Sequence, residues 1–177
     1  MPEQLTAQLQ LHIWQQNINR SMVSIQHIIN SDMHNHYDVI ALQEPYLDSY
    51  GNTRALCHWR VVYPSTHPSS PPNPPSRSVI LINSSLNTNS WKQIPFPSPN
   101  VTIVQLRGNH GLFSLFNIYL DCEHSNILQA LQAFSHQHHR LIRPTDNAHI
   151  AWLGDFNRHH PHWDSEADHR LFTPSTL

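Results

Sequence analysis

Carboxylate and amide side chains follow three of the predicted strands in this chain, where apolar segments end. The early segment "LHIWQQNIN" ends in Asn17 and Asn19, "YDVIALQEP" ends in Glu44, and "AHIAWLGDFN" contains Asp155 and Asn157. Residues two apart on a strand point to the same side, so each two-residue pair is expected to share a face. Burying such groups is unfavourable unless they are paired, hydrogen-bonded or bound to a metal.

These residue types suit two kinds of chemistry. One or two carboxylates with water molecules are what Mg²⁺ prefers, and Glu44 stands out because a charge that closes an apolar strand needs a reason. Asp155 with Asn157 could hold a water molecule and direct it at phosphorus. The alternative for each residue is a strand cap or turn, which is a common role of Asn and Asp.

The 16 histidines raise zinc as another possibility. His136, His138 and His139 fall on a predicted helix, and a second group follows Asp155. His138 and His139 do not share a helical face, and no Cys or Glu completes a known zinc spacing. Because histidines are spread along the whole chain, its composition accounts for most of them.

The composition narrows the class of protein. The formal net charge is −2, so no global basic field indicates a nucleic-acid partner, although nine of the ten basic residues are Arg, which suits local phosphate contacts. No apolar run approaches membrane-spanning length. Cys57 and Cys122 form neither a CxxC pair nor a disulfide-rich pattern. With no N-terminal hydrophobic signal, these features predict a reducing, intracellular location.

The pattern of apolar residues predicts a mixed α/β domain spanning residues 1–177. "MVSIQHIIN" is predicted to be a helix whose apolar face carries Val23, Ile25, Ile28 and Ile29. Several strand-like segments follow without helices between them: "HWRVVYP", "RSVILIN", "WKQIPFP", "VTIVQLR" and "LFSLFNIYL". A Pro/Ser-rich loop at about residues 64–77 separates the first two segments, which are expected to be neighbours in one sheet.

A second helix is predicted from Ser125 to Ile142. Ser125 can cap it, its apolar stripe comprises Ile127, Leu131, Phe134 and Leu141, and Pro144 ends it. The chain then returns in "AHIAWLGDFN", which is expected to form a buried strand.

Four motifs taken together resemble a known superfamily. "QQNIN", "ALQEP", "NIYLD" and "GDFNRHHPHWD" occur in this order and are similar to the successive motifs of endonuclease/exonuclease/phosphatase proteins. The resemblance is closer to the endonuclease domains of non-LTR (LINE-type) retrotransposons, particularly fungal ones, and runs from about Leu11 to Asp164. It implies a four-layer α/β/β/α sandwich of the deoxyribonuclease-I-like type, in the α/β (α+β) class, with the site at one edge of the sandwich.

The resemblance also implies hydrolysis of DNA phosphodiester bonds with Mg²⁺ or Mn²⁺, a reverse transcriptase module of the same element as a possible partner, and a nuclear location. By position, Glu44 matches the metal-binding glutamate, with Asn17 beside it. Asp155 matches the aspartate that activates water, and Asn157 the amide that orients water and phosphate. Tyr119 matches a tyrosine that contacts the scissile phosphate; without the resemblance, it would be interpreted as a core aromatic at a strand end.

Further residues are implied to contact the substrate. The resemblance implies that Asn19 supports the metal-binding residues or contacts a phosphate. It also implies that Arg158, His159, His160 and Trp163 belong to an extension after the aspartate that shapes a loop or approaches DNA.

One part of the superfamily pattern is missing. The superfamily domain continues with further strands and ends in Ser-Asp-His, and no such motif occurs in the 177 residues. Asp168-His169 follows Ala167, lies too soon after Asp155 and is not accepted as a substitute. We therefore expect an incomplete second sheet, C-terminal truncation, and weak or absent activity. The alternatives are an inactive remnant or a phosphatase acting on a small phosphorylated substrate.

Overall fold

The computed structural model describes residues 10–67, 74–108, 111–121 and 126–157. These residues form eight strands and three α-helices, with two short 3₁₀ helices at Asp32–Asn35 and Thr88–Ser90. The strands are β1 Ile13–Asn17, β2 Val39–Gln43, β3 Trp59–Val62, β4 Ser78–Asn83, β5 Trp91–Ile94, β6 Val101–Gly108, β7 Gly111–Tyr119 and β8 His149–Asp155; the helices are α1 Met22–Asn30, α2 Asn126–Gln137 and α3 His139–Ile142.

The strands build two mixed sheets. The first has the order β1-β2-β4-β3, and the second has the order β5-β6-β7-β8. In each sheet one outer strand runs parallel to its neighbour: β1 pairs in parallel with β2, and β8 with β7. The carboxyl ends of β1 and β2 therefore meet at one edge of the first sheet, and those of β7 and β8 meet at one edge of the second.

The helices and the two sheets form four layers with an apolar core between each adjacent pair, as the sequence resemblance predicted. Ile25, Ile28 and Ile29 of α1 pack on one face of the first sheet. Residues from the opposite face meet the second sheet in a core between the two sheets, which includes Ile80 and Leu115. The outer face of the second sheet is covered by α2 and α3. Successive residues of a strand point to opposite faces, so the continuously buried strands β2 and β4 contribute to the cores on both sides of the first sheet.

Helix α1 confirms the predicted element but corrects its apolar face. Ile25, Ile28 and Ile29 are buried, whereas Val23 is 75% exposed. Two residues span about 200° on a helix, so Val23 points away from the side that Ile25 presents to the sheet. The Oγ atom of Ser21 caps the helix by accepting a hydrogen bond from the Ser24 amide at 3.1 Å.

The predicted second helix is two helices. His138 has a non-helical backbone (φ −107°, ψ 22°) and separates α2 from α3. This break shifts the helical phase, so that Ile142 is buried and Leu141, expected in the stripe, is 40% exposed. Leu131 is buried as predicted, with Ile127 and Phe134 partly buried beside it. Ser125, the expected cap, lies outside the described residues.

Strand β8 differs from the buried strand expected for its sequence. Its residues are exposed at the start and half-buried from Ala151 onward. Within the described residues β8 pairs only with β7 and forms the edge of the second sheet, so one side of the strand lacks a neighbour.

The segments on either side of the Pro/Ser-rich loop pair as predicted, since β3 and β4 are antiparallel neighbours. Residues 68–73 of that loop lie outside the described residues. No helix in the described parts of the chain is long and apolar enough to cross a membrane. Cys57 is a free, exposed thiol, and Cys122 is not among the described residues.

Candidate active site

Polar side chains close one end of the layer between the two sheets. Every second residue of β1, β7 and β8 faces the opposite sheet, and the apolar ones contribute to the core there. The last inward-facing residues of these strands are Asn17, Tyr119 and Asp155. Alternation along three separate strands therefore brings three of the predicted site residues to the same end of the sandwich.

Asn17 and Asp155 are in direct contact across the two sheets. Asn17 Nδ2 donates a hydrogen bond to Asp155 Oδ2 at 2.6 Å. The other carboxylate oxygen, Oδ1, accepts a hydrogen bond from the backbone N–H of Asn157 at 3.0 Å. Each carboxylate oxygen has a further lone pair, so Asp155 can accept additional hydrogen bonds from water or a ligand.

Asp155 and Asn157 do not share a strand face, which corrects the sequence-based expectation. Strand β8 ends at Asp155, and Asn157 has a positive φ of 43°. The chain turns there, and Asn157 Nδ2 donates to the carbonyl oxygen of Leu120 at 2.6 Å. One N–H of this amide is therefore committed to the backbone.

Asn17 and Asn19 show the same departure. Strand β1 ends at Asn17, and Asn19 is exposed with a φ of 45°. The Asn19 backbone N–H donates to Asn17 Oδ1 at 2.9 Å. The turn interpretation of these Asn residues is correct for their backbone, and it coexists with the contact between Asn17 and Asp155.

Glu44 lies at the end of β2 and is surrounded by positive charge. Its side chain is only 13% exposed, and Oε1 lies 2.9 Å from Arg77 Nη2 and 3.9 Å from Arg20 Nη2. Glu44 also accepts a hydrogen bond from the Tyr119 hydroxyl. Pairing with a guanidinium compensates for the desolvation of this carboxylate.

Tyr119 links Glu44 to Asp155. It is 8% exposed, it is the register partner of Asp155 in the β7–β8 pair, and the Arg77 guanidinium carbon lies 4.3 Å from the centre of its ring. Burial raises the pKa of the Tyr119 hydroxyl above 10; Arg77 acts in the opposite direction, and the Glu44 and Asp155 charges raise it further. The hydroxyl therefore remains protonated at neutral pH and acts as a hydrogen-bond donor.

Backbone strain is concentrated at this site. Among the described residues, the non-glycine positions with positive φ are Asn19, Arg20, Glu44 and Asn157. Such conformations cost on the order of 1–3 kcal/mol each and persist where the surrounding structure enforces them, often at functional sites. All four belong to the turns that follow β1, β2 and β8.

A buried polar network supports the site from below. Gln43 Nε2 donates to Asn117 Oδ1, and Asn117 Nδ2 donates to the carbonyl oxygens of Leu42 and Val79 at 2.9 and 2.8 Å. Ser78 Oγ donates to the Asn117 carbonyl at 2.8 Å. Gln43 directly precedes Glu44, Ser78 directly follows Arg77, and Asn117 lies two positions before Tyr119. The network therefore fixes the strand ends that carry these three site residues.

Two side chains at this site are of the types that hold a hydrated Mg²⁺ or Mn²⁺ ion, although Glu44 would share its carboxylate with Arg77, whose Nη2 lies 2.9 Å from Oε1. Such an ion keeps several water ligands and needs only one or two carboxylates. Glu44 supplies a carboxylate and Asn17 an amide oxygen, which are the two residues predicted as metal ligands. The parts of the chain that the structure describes contain no group of three or more His, Cys, Asp or Glu residues suited to a metal.

The histidines of α2 and α3 do not gather into a site. His136, His138 and His139 are all exposed. The predicted substrate contacts Arg158, His159 and His160 lie outside the described residues, as do Trp163 and the Asp168-His169 pair.

Arg77, Arg20 and Asn117 were not predicted from the sequence. Arg77 was interpreted only as the first residue of an apolar strand after a proline-rich segment, and Asn117 as part of the strand "LFSLFNIYL". Asn117 carried a usable signal, because an amide in the middle of an apolar strand must find partners. Nothing local linked Arg20 or Arg77 to Glu44.

Residues 14–173 match the Endonuclease/Exonuclease/phosphatase family, which is most of the chain. No curated protein sequence matches significantly.

Several solved structures share the fold. The endonuclease domain of TRAS1, a telomere-specific non-LTR retrotransposon, is similar with a TM-score of 0.62 and 15% identity over 92% of this chain and 68% of that domain. The AP endonuclease LMAP from Leishmania major is similar with a TM-score of 0.58 and 12% identity, over 82% of this chain and 54% of that protein. A humanized TDP2 from D. rerio is similar with a TM-score of 0.51 and 18% identity, over 84% of this chain and 63% of that protein. The chain thus spans between about half and two thirds of these structures.

Proposed function

We propose that this chain, which belongs to the endonuclease/exonuclease/phosphatase family, is a divalent-metal-dependent DNA endonuclease of a retrotransposon-derived protein. The main support is the 2.6 Å hydrogen bond between Asn17 and Asp155, which brings an expected metal ligand next to a carboxylate able to take a proton from water. The likeness to the TRAS1 domain, an endonuclease of a non-LTR retrotransposon, supports DNA as the substrate.

The residues divide the work of phosphodiester hydrolysis. A water molecule that donates a hydrogen bond to Asp155 would lose a proton to this carboxylate as it attacks phosphorus. Tyr119, whose hydroxyl is protonated at neutral pH, can redirect its single O–H from Glu44 to a phosphate oxygen. Family members are generally divalent-metal dependent; an ion held by Glu44 and Asn17 would offset the negative charge of the phosphate and its leaving oxygen.

We propose that a polypeptide of these 177 residues nicks DNA slowly. The residues contain no Ser-Asp-His motif, whose His the resemblance places opposite the phosphate. Groups that transfer protons in the transition state typically contribute about 10²–10⁴-fold each. We further propose that the chain works with a reverse transcriptase module of the same element. A DNA substrate also implies a nuclear location.

Two substrates test this proposal against its alternatives. The polypeptide is incubated with supercoiled plasmid or with p-nitrophenyl phosphate, in Mg²⁺, Mn²⁺ or EDTA. We expect slow, metal-dependent plasmid nicking that is lost in Glu44→Ala and retained in Arg140→Ala, an exposed arginine on α3. Faster hydrolysis of the monoester would instead favour a phosphatase. Absence of metal-dependent hydrolysis of either substrate would favour an inactive remnant.

A further inference from the structure

An open cavity of about 260 Å³ lies beside Glu44. Arg20, Glu44 and Arg77 line its charged part, and Tyr46 and Pro75 are among the residues that line its apolar part. A lining that contains two guanidiniums together with aromatic and proline side chains suits a ligand with an anionic group and an apolar ring or sugar.

Among the described residues that line the cavity, Arg20 is the more exposed of the two guanidiniums. Two guanidiniums and one carboxylate give a formal excess of +1 (two minus one). Arg77 is the closer partner of Glu44, at 2.9 Å, and its side chain is 28% exposed. Arg20 lies 3.9 Å from the same oxygen and its side chain is 62% exposed. Because Arg77 is the closer partner of Glu44 and Arg20 is the more exposed, Arg20 is the guanidinium that an anionic ligand can reach.

The backbone holds Arg20 in this place despite strain. Its φ is +55°, and its amide N–H donates to the Glu44 carbonyl oxygen at 2.7 Å. Glycine adopts positive φ easily, whereas a side chain with a Cβ does not. An arginine at such a position indicates that its side chain has a use that outweighs the strain.

We propose that Arg20 binds a second, non-reacting phosphate of a DNA strand in this cavity, with the Tyr46 side contacting the adjoining sugar or base. This inference rests on the proposed endonuclease function. The guanidinium matches phosphate geometry with paired N–H donors. Arg20 lies beside Glu44, and Glu44 accepts a hydrogen bond from Tyr119, the register partner of Asp155, so the site for this phosphate adjoins the one at which Asp155 acts.

Arg20→Gly separates binding from folding. The variant removes the guanidinium and relieves the positive φ, so we expect an unchanged or higher Tm. Binding of a fluorescent 20-base-pair DNA duplex, followed by anisotropy in EDTA so that no cleavage occurs, is expected to weaken several-fold. The slope of log K against log salt is expected to become shallower by about 0.9, the value for one lost phosphate contact.

Arg140→Ala is the matched control, because Arg140 is exposed and precedes Leu141, whose carbonyl oxygen accepts a hydrogen bond from Gln105 in the middle of β6, away from the strand ends that carry the site. Wild-type affinity and salt slope in Arg20→Gly, or a change no larger than in Arg140→Ala, would overturn the inference, as would failure of the wild-type chain to bind DNA. The proposed function fails on a different result, the lack of Glu44-dependent nicking in metal, since the binding measurement needs no hydrolysis.

Discussion

Asn17 Nδ2 and Asp155 Oδ2 lie 2.6 Å apart, although the two residues are 138 positions apart in the chain. Asn17 ends an edge strand of the first sheet, and Asp155 ends an edge strand of the second. The hydrogen bond therefore joins the two sheets at this end of the sandwich. It also brings together two residues of the proposed site.

Asn17→Asp tests this contact through its pH dependence. Two carboxylates at this distance cannot both ionise easily, so the folded-state pKa of one of them is raised. The repulsion is then present at neutral pH and is lost as the pH falls through that raised pKa. In urea denaturation at pH 7.5 we expect Asn17→Asp to be less stable than Asn17→Ala by about 1–3 kcal/mol, with the gap closing toward pH 4. A gap that does not depend on pH would show that the side chains are not in contact.

Gly154→Ala is expected to disrupt the pairing of β8 with β7. Gly154 has a φ of +150°, and an added Cβ would lie 1.9 Å from the Ile118 carbonyl oxygen. Because that oxygen is backbone, relief requires the strands to separate. We expect a loss of more than about 3 kcal/mol or failure to fold, measured by urea denaturation. Gly108→Ala is the control, since a Cβ there meets nothing within 4 Å and should change stability by less than about 1 kcal/mol.

Asn117→Ala is expected to be strongly destabilising. The side chain is fully buried and donates to two backbone carbonyls while accepting from Gln43. Its removal leaves these groups without partners at about 1–3 kcal/mol each, so we expect a loss of at least about 3 kcal/mol in urea denaturation. The exposed Asn52→Ala should change stability by less than about 0.5 kcal/mol. Equal effects of the two variants would mean that the network does not support the sandwich.

His67 is expected to make stability sensitive to mild acid. Its ring stacks on Tyr63 and its Nδ1 lies 2.8 Å from Ser76 Oγ, so it joins the two ends of the proline-rich loop. Burial lowers the pKa of His67 below 6.5. A base with a lowered folded-state pKa contributes stability above its unfolded pKa and loses it as the pH falls through about 6.5 and below.

Thermal unfolding between pH 7.5 and 5.5 checks this expectation. The wild-type chain should lose more stability than His67→Phe, which keeps an aromatic ring but does not titrate. If both lose stability equally over this range, His67 is not the group responsible.

The residues of the site that lie on strands could be predicted, because alternation and an apolar context fix which side chains face inward. Asn17 and Asp155 follow from this rule, and Glu44 from a charge at the end of a buried strand. Asn19 and Asn157 could not be placed, because the rule assumes that the strand continues and the positive φ at these positions ends it. A turn in place of a strand moves the side chain to a different face.

The cationic part of the site depends on packing rather than on local pattern. Arg77 reaches Glu44 only because β4 lies beside β2, and nothing in the neighbouring residues of either strand specifies that pairing. Likewise, the break at His138 shifts Leu141 to solvent, although the apolar spacing favoured a continuous helix. These features are decided by contacts between distant segments.

The most direct test is the single-turnover rate of plasmid nicking in Mg²⁺ by the Asp155→Asn variant and by the wild-type chain. The comparison requires that the two proteins have similar Tm values. If Asp155 takes the proton from the attacking water, the wild-type chain nicks slowly but measurably, and the variant is slower by about 10²-fold or more. A variant that nicks at the wild-type rate, or nicking that persists in EDTA, would contradict the assignment of Asp155 and its neighbours as a metal-dependent phosphodiesterase site.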